Sequence, residues 1–346
     1  MATGDRNLRV VAPRAGPPAV LELVEEPVPE PKAGEALVRV IASGVAWADV
    51  MSREGIYPGT TFPCTPGYDI VGTVEALGPN AGGDVAIGDT VAALTVHGGY
   101  ASYVVLPETD LVRVPGGLDP AEAVSLVLNY VTAYQMLHRC VDAVAGDPIL
   151  VHGAAGGVGT ALLQFARRDG LRAIGTASAR KHDTVRSLGG TPIDYHSKTA
   201  NAEIREAAGG GVQAAFDPIG GSSWSSSYEL LRPGGTLVAY GASTVFIGGR
   251  FNLLRGLGFV ALTRRYAPRK LLAEAKGVVG YNIGEWKRAR PALFRTDLTA
   301  LFGLLASREI VPLIAERIPL REARRAHELL GAADATGKIV LMSNVP

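Results

Sequence analysis

Residues 148–168 read PILVHGAAGGVGTALLQFARR: an apolar run, then four glycines and two alanines within seven residues, then a stretch with helical apolar spacing. The apolar run, bounded by Pro148 and Gly153, is a buried strand by length and punctuation. A strand that becomes a helix through side chains no larger than valine opens a βαβ unit, and it commits the flanking chain to parallel pairing. The sequence downstream agrees. RAIGTAS, TPIDYH, VQAAFDPIG and GGTLVAYG read as strands, and ARKHDTVRSLGG reads as a helix between the first two. The alternation predicts an α/β fold with a doubly wound parallel sheet.

The glycine cluster has two readings. One is a tight left-handed turn that holds nothing. The other is a phosphate cradle, in which small residues let the backbone approach a pyrophosphate and the helix N-terminus presents free N–H groups to the anion. In the cradle, Gly156 approaches the anion, Gly159 packs helix on strand, and Ala154 stands where the first glycine of the fingerprint is expected. The flanking strand and helix favour the cradle. The next strand selects the nucleotide. A carboxylate about 20 residues on binds the ribose 2′-hydroxyl of NAD. No Asp or Glu occurs from Leu171 to Lys181; Ser178, Arg180 and Lys181 stand where a 2′-phosphate would lie. NADPH is therefore expected over NADH, with a solvated basic helix start as the alternative.

The first third has a different texture. LRVVAP, AVLELVEEPVP, EALVRVIASGV, IVGTVEALG, DTVAALT and YASYVVLP are β-rich runs between glycines and prolines, which predicts a compact β-barrel-like unit. Asp119, Pro120 and Glu122 then make a helix-start signature, and the helical pattern that follows carries a break. From about residue 284 come two helices, LTALFGLLASREI and REARRAHELLGAA, and a strand, KIVLMS. A chain of 346 residues holds about two domains, and a formal net charge of +1 argues against a nucleic-acid binder driven by bulk charge. Cys64 and Cys140 are too few for a disulfide framework or a four-cysteine zinc site. MATGDRNLRVVAP lacks the features of a secretory signal, and no apolar run reaches the ~18 residues of a membrane helix, so a cytoplasmic location is expected.

TPGYDIVGTVEALG, GGYASYVVLPE, LVLNYVTAYQML, LVHGAAGGVGTALLQFAR, IGTASARKHD, PIDYHSK, FDPIGG, LLRPGGTLVAYG and TGKIVL together resemble the zinc-independent medium-chain dehydrogenase/reductases of the quinone oxidoreductase (zeta-crystallin-like) group. Within that group the chain resembles the synaptic vesicle membrane protein (vesicle amine transport) type. AAGGVG marks the wider superfamily; LNYVTAY with GTASARKH and PIDYH is more specific. The resemblance implies a GroES-like catalytic domain of residues 1–124 and 285–346 around a Rossmann NADPH-binding domain of residues 125–284. It also implies a homodimer joined through an edge strand in GVVGYNI. By the same carry-over, the backbone of Ala155, Gly156, Gly157, Val158 and Gly159 holds the pyrophosphate, and Ser178, Arg180 and Lys181 hold the 2′-phosphate. Tyr195 lies near the pyrophosphate or ribose, and Thr132, Gly241, Ala242 and Ser243 face the nicotinamide. Lys338 lies close to the pyrophosphate, paired with Asp49.

Zinc-dependent members of the superfamily place a catalytic cysteine and histidine where this chain has Ala46 and Tyr68, so the resemblance implies hydride transfer without a metal. The substrate pocket is expected at Ala46, Trp47 and Asn129. An alanine side chain cannot hydrogen-bond and an indole N–H is not a useful acid. A proton for the α-carbon then comes from water or from Tyr57, a phenol with an ordinary pKa of about 10, unless Tyr57 only packs. The implied substrates are small molecules: a quinone or an α,β-unsaturated carbonyl, including carrier- or CoA-bound enoyl intermediates of natural-product biosynthesis. Two alternatives stay open: an NADPH-binding protein that binds lipid or a partner with little turnover, and a reductase fold repurposed, for example as a cyclase. Residues 246–270, FIGGRFNLLRGLGFVALTRRYAPRK, carry Arg250, Arg255, Arg264, Arg265, Arg269 and Lys270 among apolar clusters. An ordinary surface helix with its arginines in water is expected there; a lid, a docking patch for an acidic carrier and a membrane-surface contact are the other readings.

Overall fold

The computed structural model describes residues 6–263 and 266–343. Arg264 and Arg265 of the basic insert, and the first five residues of the chain, lie outside them. The described residues fall into two compact units, one within residues 1–128, 248–251 and 287–346 and the other within residues 129–247 and 252–286.

From the N-terminus, β1 (Arg6–Val11) pairs antiparallel with β2 (Glu22–Pro27). Then come β3 (Glu35–Val45), α1 (Trp47–Arg53), β4 (Asp69–Leu77), β5 (Thr90–Leu94), β6 (Tyr103–Pro107) and β7 (Val112–Arg113). All six β-rich runs of the first third form strands. At Asp119 the helix-start signature works as its residue types require: the carboxylate accepts the N–H groups of Ala121 and Glu122 at 3.0 Å, opening α2 (Pro120–Ser125). The break in the helical run is a π turn at Leu126–Tyr130, ahead of α3 (Val131–Arg139).

Strands and helices then alternate: β8 (Pro148–His152), α4 (Gly157–Arg168), β9 (Arg172–Ala177), α5 (His182–Ser187), β10 (Thr191–Asp194), α6 (Ala200–Ala208), β11 (Val212–Asp217), α7 (Ser222–Glu229) and β12 (Leu231–Ala239). β13 (Phe246–Ile247), β14 (Arg250–Phe251), α8 (Leu253–Leu262), α9 (Pro268–Glu274) and β15 (Gly277–Gly280) follow. Six strands lie in the order β10-β9-β8-β11-β12-β15, every neighbouring pair parallel. This is the doubly wound order, and β15 from GVVGYNI stands at its edge. Leu150, Ile174, Ala215 and Leu237 are buried in one apolar cluster with Tyr228, as strands covered on both faces require.

The chain ends with α10 (Ile283–Ala289), α11 (Pro291–Ala306), β16 (Ile314–Pro319), α12 (Ala323–Gly331) and β17 (Lys338–Met342). In the first unit's large sheet the order is β16-β17-β3-β4-β5-β7, with β6 on β3. Val38, Val40, Ile70 and Val91 fill its core.

The insert departs from expectation. α8 sets Phe259 against Trp224, ring centroids 5.4 Å apart, yet Leu253, Leu254, Leu257 and Val260 remain between 60% and 78% exposed. Apolar side chains, and not arginines alone, meet solvent there. No described helix is long and apolar enough to cross a membrane.

Candidate cofactor and substrate site

β8 ends where the strand order reverses, between β8 and β11, the place at which open α/β sheets receive ligands. Gly153 makes the left-handed turn, with φ +64°. The turn is thus one residue earlier than the motif suggested, and Ala154 is free to be fully buried, donating its N–H to Thr176 O at 3.0 Å. Gly156 caps α4, which Gly157 and Val158 begin with no side-chain cap on the first N–H groups. All three are partly exposed, whereas Ala155 is buried. A Cβ on Gly159 would fall 2.3 Å from Gly153 O, so only glycine lets α4 sit this close to the turn. The result is a row of partly exposed backbone donors at the positive end of a helix, which suits a diphosphate.

Asn129 and Thr132 approach from the π turn and α3. A Cβ on Gly157 would lie 2.0 Å from Asn129 Nδ2. Asn129 therefore lies beside the first turn of α4. Thr132 is buried, and among the described residues its Oγ1 has no hydrogen-bond partner. A buried hydroxyl left unpaired costs about 1–3 kcal/mol, and a ligand amide would satisfy it. This orphaned atom and the cradle are the two observations by which a nicotinamide dinucleotide fits.

After β12, Ser243 donates its N–H to Pro218 O at 3.0 Å, which ties half-buried Gly241, Ala242 and Ser243 to the end of β11. Beneath them lies Asp217, fully buried, whose carboxylate accepts from Ile219 N, Ser223 Oγ and Ser227 Oγ at 2.7 Å each. Ser227 Oγ also reaches His152 Nε2 at 3.0 Å, and burial pushes the His152 pKa down, so the ring is neutral. One polar network therefore ties the ends of β8 and β11 to α7. Sequence reasoning missed Asp217 and His152; their only signal was a polar residue directly after an apolar run.

β9 ends at Ala177, and Ser178 precedes a single tight turn, Ala179–Lys181, with Lys181 N–H on Ser178 O at 2.8 Å. Arg180 is exposed and Lys181 half-buried. The first acid beyond, Asp183, is 99% exposed and pairs with Arg186 at 2.7 Å. Tyr195 follows β10, exposed, its ring 4.3 Å from that of His196.

In the first unit, Ala46 donates its N–H to Asp49 Oδ2 at 2.8 Å and Gly67 donates to Asp49 Oδ1 at 2.8 Å, with Tyr100 Oη on Oδ2 at 3.3 Å. Burial raises the Asp49 pKa to about 7. Trp47 begins α1, half-buried. Lys338 pairs with Asp69, at 3.0 and 3.4 Å, and the expected hydrogen-bonded pair with Asp49 does not form. Gly44 explains the choice: a Cβ there would lie 2.3 Å from Lys338 Cε and 2.4 Å from Asp69 Oδ1, so its absence opens the path to Asp69. Tyr57 Oη is 2.6 Å from Tyr68 Oη. Among the described residues no three His, Cys, Asp or Glu side chains cluster to hold a metal ion.

Two family models match the chain: the alcohol dehydrogenase GroES-like domain over residues 32–116 and the zinc-binding dehydrogenase over residues 188–341. The chain is 33% identical to the synaptic vesicle membrane protein VAT-1 homolog of Mus musculus over 323 residues, covering 91% of this chain and 78% of that one. It is 30% identical to the quinone oxidoreductase of Pongo abelii over 350 residues, covering 99% and 100%. The Escherichia coli quinone oxidoreductase complexed with NADPH superposes with a TM-score of 0.84 at 26% identity, over 97% of this chain and 99% of that one.

Proposed function

The chain belongs to the medium-chain dehydrogenase/reductase family, in its zinc-independent quinone-oxidoreductase type, and on that premise we propose that it is an NADPH-dependent reductase of quinones or α,β-unsaturated carbonyl and enoyl compounds. The observation that carries the cofactor choice is the turn after β9, where Ser178, Arg180 and Lys181 stand in place of an acid. Guanidinium and ammonium groups make charge-assisted bonds to a 2′-phosphate that a 2′-hydroxyl cannot match. The backbone from Ala155 to Gly159 holds the pyrophosphate, and Tyr195 flanks it or the ribose. Thr132 Oγ1 takes a hydrogen bond from the nicotinamide end, where Gly241, Ala242 and Ser243 line the site. With Nζ already held by Asp69, Lys338 stabilises the first unit and is not assigned to the pyrophosphate.

NADPH, when bound, supplies the hydride; the protein supplies orientation and a proton. Trp47 offers a flat apolar face to the substrate, Ala46 leaves it room, and Tyr57 donates the proton to the α-carbon. The two units serve as catalytic and cofactor-binding domains. β15, at the sheet edge, joins two copies of the chain. Coenzyme titration followed by turnover against quinones, enones and enoyl thioesters tests the reading. NADPH bound at least about tenfold more tightly than NADH, a difference of about 1.4 kcal/mol, with oxidation by one acceptor class, is expected. Equal affinities would remove the 2′-phosphate assignment, and tight binding without oxidation would remove the reductase.

The exposed leucines of α8 favour a second reading, an NADPH-binding protein that docks on a lipid surface or partner with little turnover. Salt-sensitive vesicle binding in the absence of NADPH oxidation would select it.

A further inference from the structure

Two phenols in the first unit face each other across a distance shorter than packing requires. Tyr57 Oη and Tyr68 Oη are 2.6 Å apart, and their rings meet edge to face with centroids 5.8 Å apart. Tyr68 is 2% exposed, and its carbonyl accepts the N–H groups of Thr95 and Val96 at 2.9 and 3.2 Å, which fixes the backbone ahead of β4. Tyr57 is the more open of the two, on the loop after α1, with its N–H on Met51 O at 3.2 Å. His97 also lies against Tyr57, its ring edge-on at 5.6 Å and its Nδ1 3.5 Å from Ser52 Oγ. Burial lowers the His97 pKa, so near neutral pH it brings no charge to the pair.

We infer that the two phenols work as a unit, in which Tyr57 protonates the substrate α-carbon and Tyr68, as a positioning residue, donates its O–H to the phenolate left behind. The inference rests on the reading of the chain as an enone or enoyl reductase. Hydride arrival at the β-carbon leaves an enolate. Its electron pair forms the new C–H bond at the α-carbon, the Tyr57 O–H bond breaks, and the bonding electrons remain on Tyr57 Oη. Tyr68 Oη already stands at hydrogen-bond distance from that oxygen, so its O–H meets the developing charge with no more than a hydroxyl rotation. Water returns a proton to Tyr57 after product leaves. With Ala46 and Trp47 in the same segment neither able to supply an acidic proton, the pair fills that need. Quinone reduction places its protons on oxygen, which exchanges freely with water, and depends less on the pair.

Tyr68→Phe and Tyr57→Phe are compared in the NADPH-loaded full-length protein, with benzylideneacetone as the enone and menadione as the quinone. Both variants should lose at least about tenfold more kcat on the enone than on the quinone and show a larger solvent deuterium isotope effect on the enone. A second readout needs no turnover. In near-ultraviolet tyrosinate titration, Tyr68→Phe minus the double variant reads Tyr57 alone, which should ionise about one pH unit above the first step of the pair, read as wild type minus the double variant, because the phenolate has lost its donor. If Tyr57→Phe slows the enone while Tyr68→Phe changes neither rate nor titration, the pair is overturned and Tyr57 alone is the donor. If neither variant alters the enone rate, the pair falls together with Tyr57, while the reductase reading survives as long as NADPH is oxidised.

Discussion

Lys338 Nζ lies 3.0 Å from Asp69 Oδ2, with side-chain exposures of 2% and 0%. The two residues belong to β17 and β4, which both pair with β3, and the ion pair spans β3 above Gly44. Burial pushes the Asp69 pKa up and Lys338 pulls against it. Lys338→Met would strand a buried carboxylate and should cost about 3–5 kcal/mol in chemical denaturation. The double variant with Asp69→Asn should recover part of that loss, and a single variant as stable as wild type would show that the pair carries no weight.

Thr132 separates stability from binding. Removing an unpaired buried hydroxyl while keeping side-chain shape, as in Thr132→Val, should leave the cofactor-free protein as stable as before or more so, by up to about 1 kcal/mol. NADPH affinity should fall about fivefold, the equivalent of one hydrogen bond. Thermal melts with and without NADPH read both effects in one experiment.

Arg180 and Lys181 divide the two coenzymes. Their joint replacement by alanine should weaken NADPH by about a hundredfold, since charge-assisted bonds contribute about 1.5–3 kcal/mol each and part of that is screened at an exposed site. NADH affinity should change by less than about threefold, within the ordinary effect of a surface substitution. Parallel titrations of both coenzymes decide the matter.

The acid limb of stability has an identifiable source in His327. Arg53 Nη1 donates to His327 Nδ1 at 3.0 Å, and among the described residues Nε2 has no partner. Burial, helped by the Arg53 charge, holds the His327 pKa down at about 3. In the unfolded chain the ring titrates near 6.5, at about the ordinary histidine value. Below that pH the unfolded state takes up a proton that the folded state refuses. The stability from this residue is full above about pH 6.5 and is lost progressively as pH falls toward 3. His327→Gln should flatten that slope, seen as denaturation midpoints that depend less on pH between about 7 and 4.

What was legible in the sequence was local and periodic. Apolar runs bounded by glycine and proline located most strands of the two large sheets, because burial on one or both faces writes itself into residue order; the short β7 and the polar-rich β16 went unread, and β15 was named only through the resemblance. Asp119 was legible as a cap because its partners lie two and three residues away. The cradle was legible by composition, but Gly153 and Ala154 exchange the roles the motif assigns, since only the observed φ tells which of them turns. The partner of Lys338 was not legible: two buried acids, Asp49 and Asp69, compete for it, and a missing Cβ on a third strand decides. The same holds for Tyr68, which the sequence showed only as a position lacking a zinc ligand. Its meeting with Tyr57 depends on how the chain returns from α1 to β4. The outward leucines of α8 escaped for the opposite reason, because an apolar helical repeat reads as buried whichever face it presents.

Stereospecifically deuterated NADPH, labelled on the nicotinamide ring and incubated with the protein and an enone or enoyl thioester, tests the reductase assignment most directly. Deuterium at the β-carbon of the product, in step with NADPH oxidation, is the expected result. Tight NADPH binding with no label transferred to any acceptor, and no quinone-dependent oxidation, would contradict it.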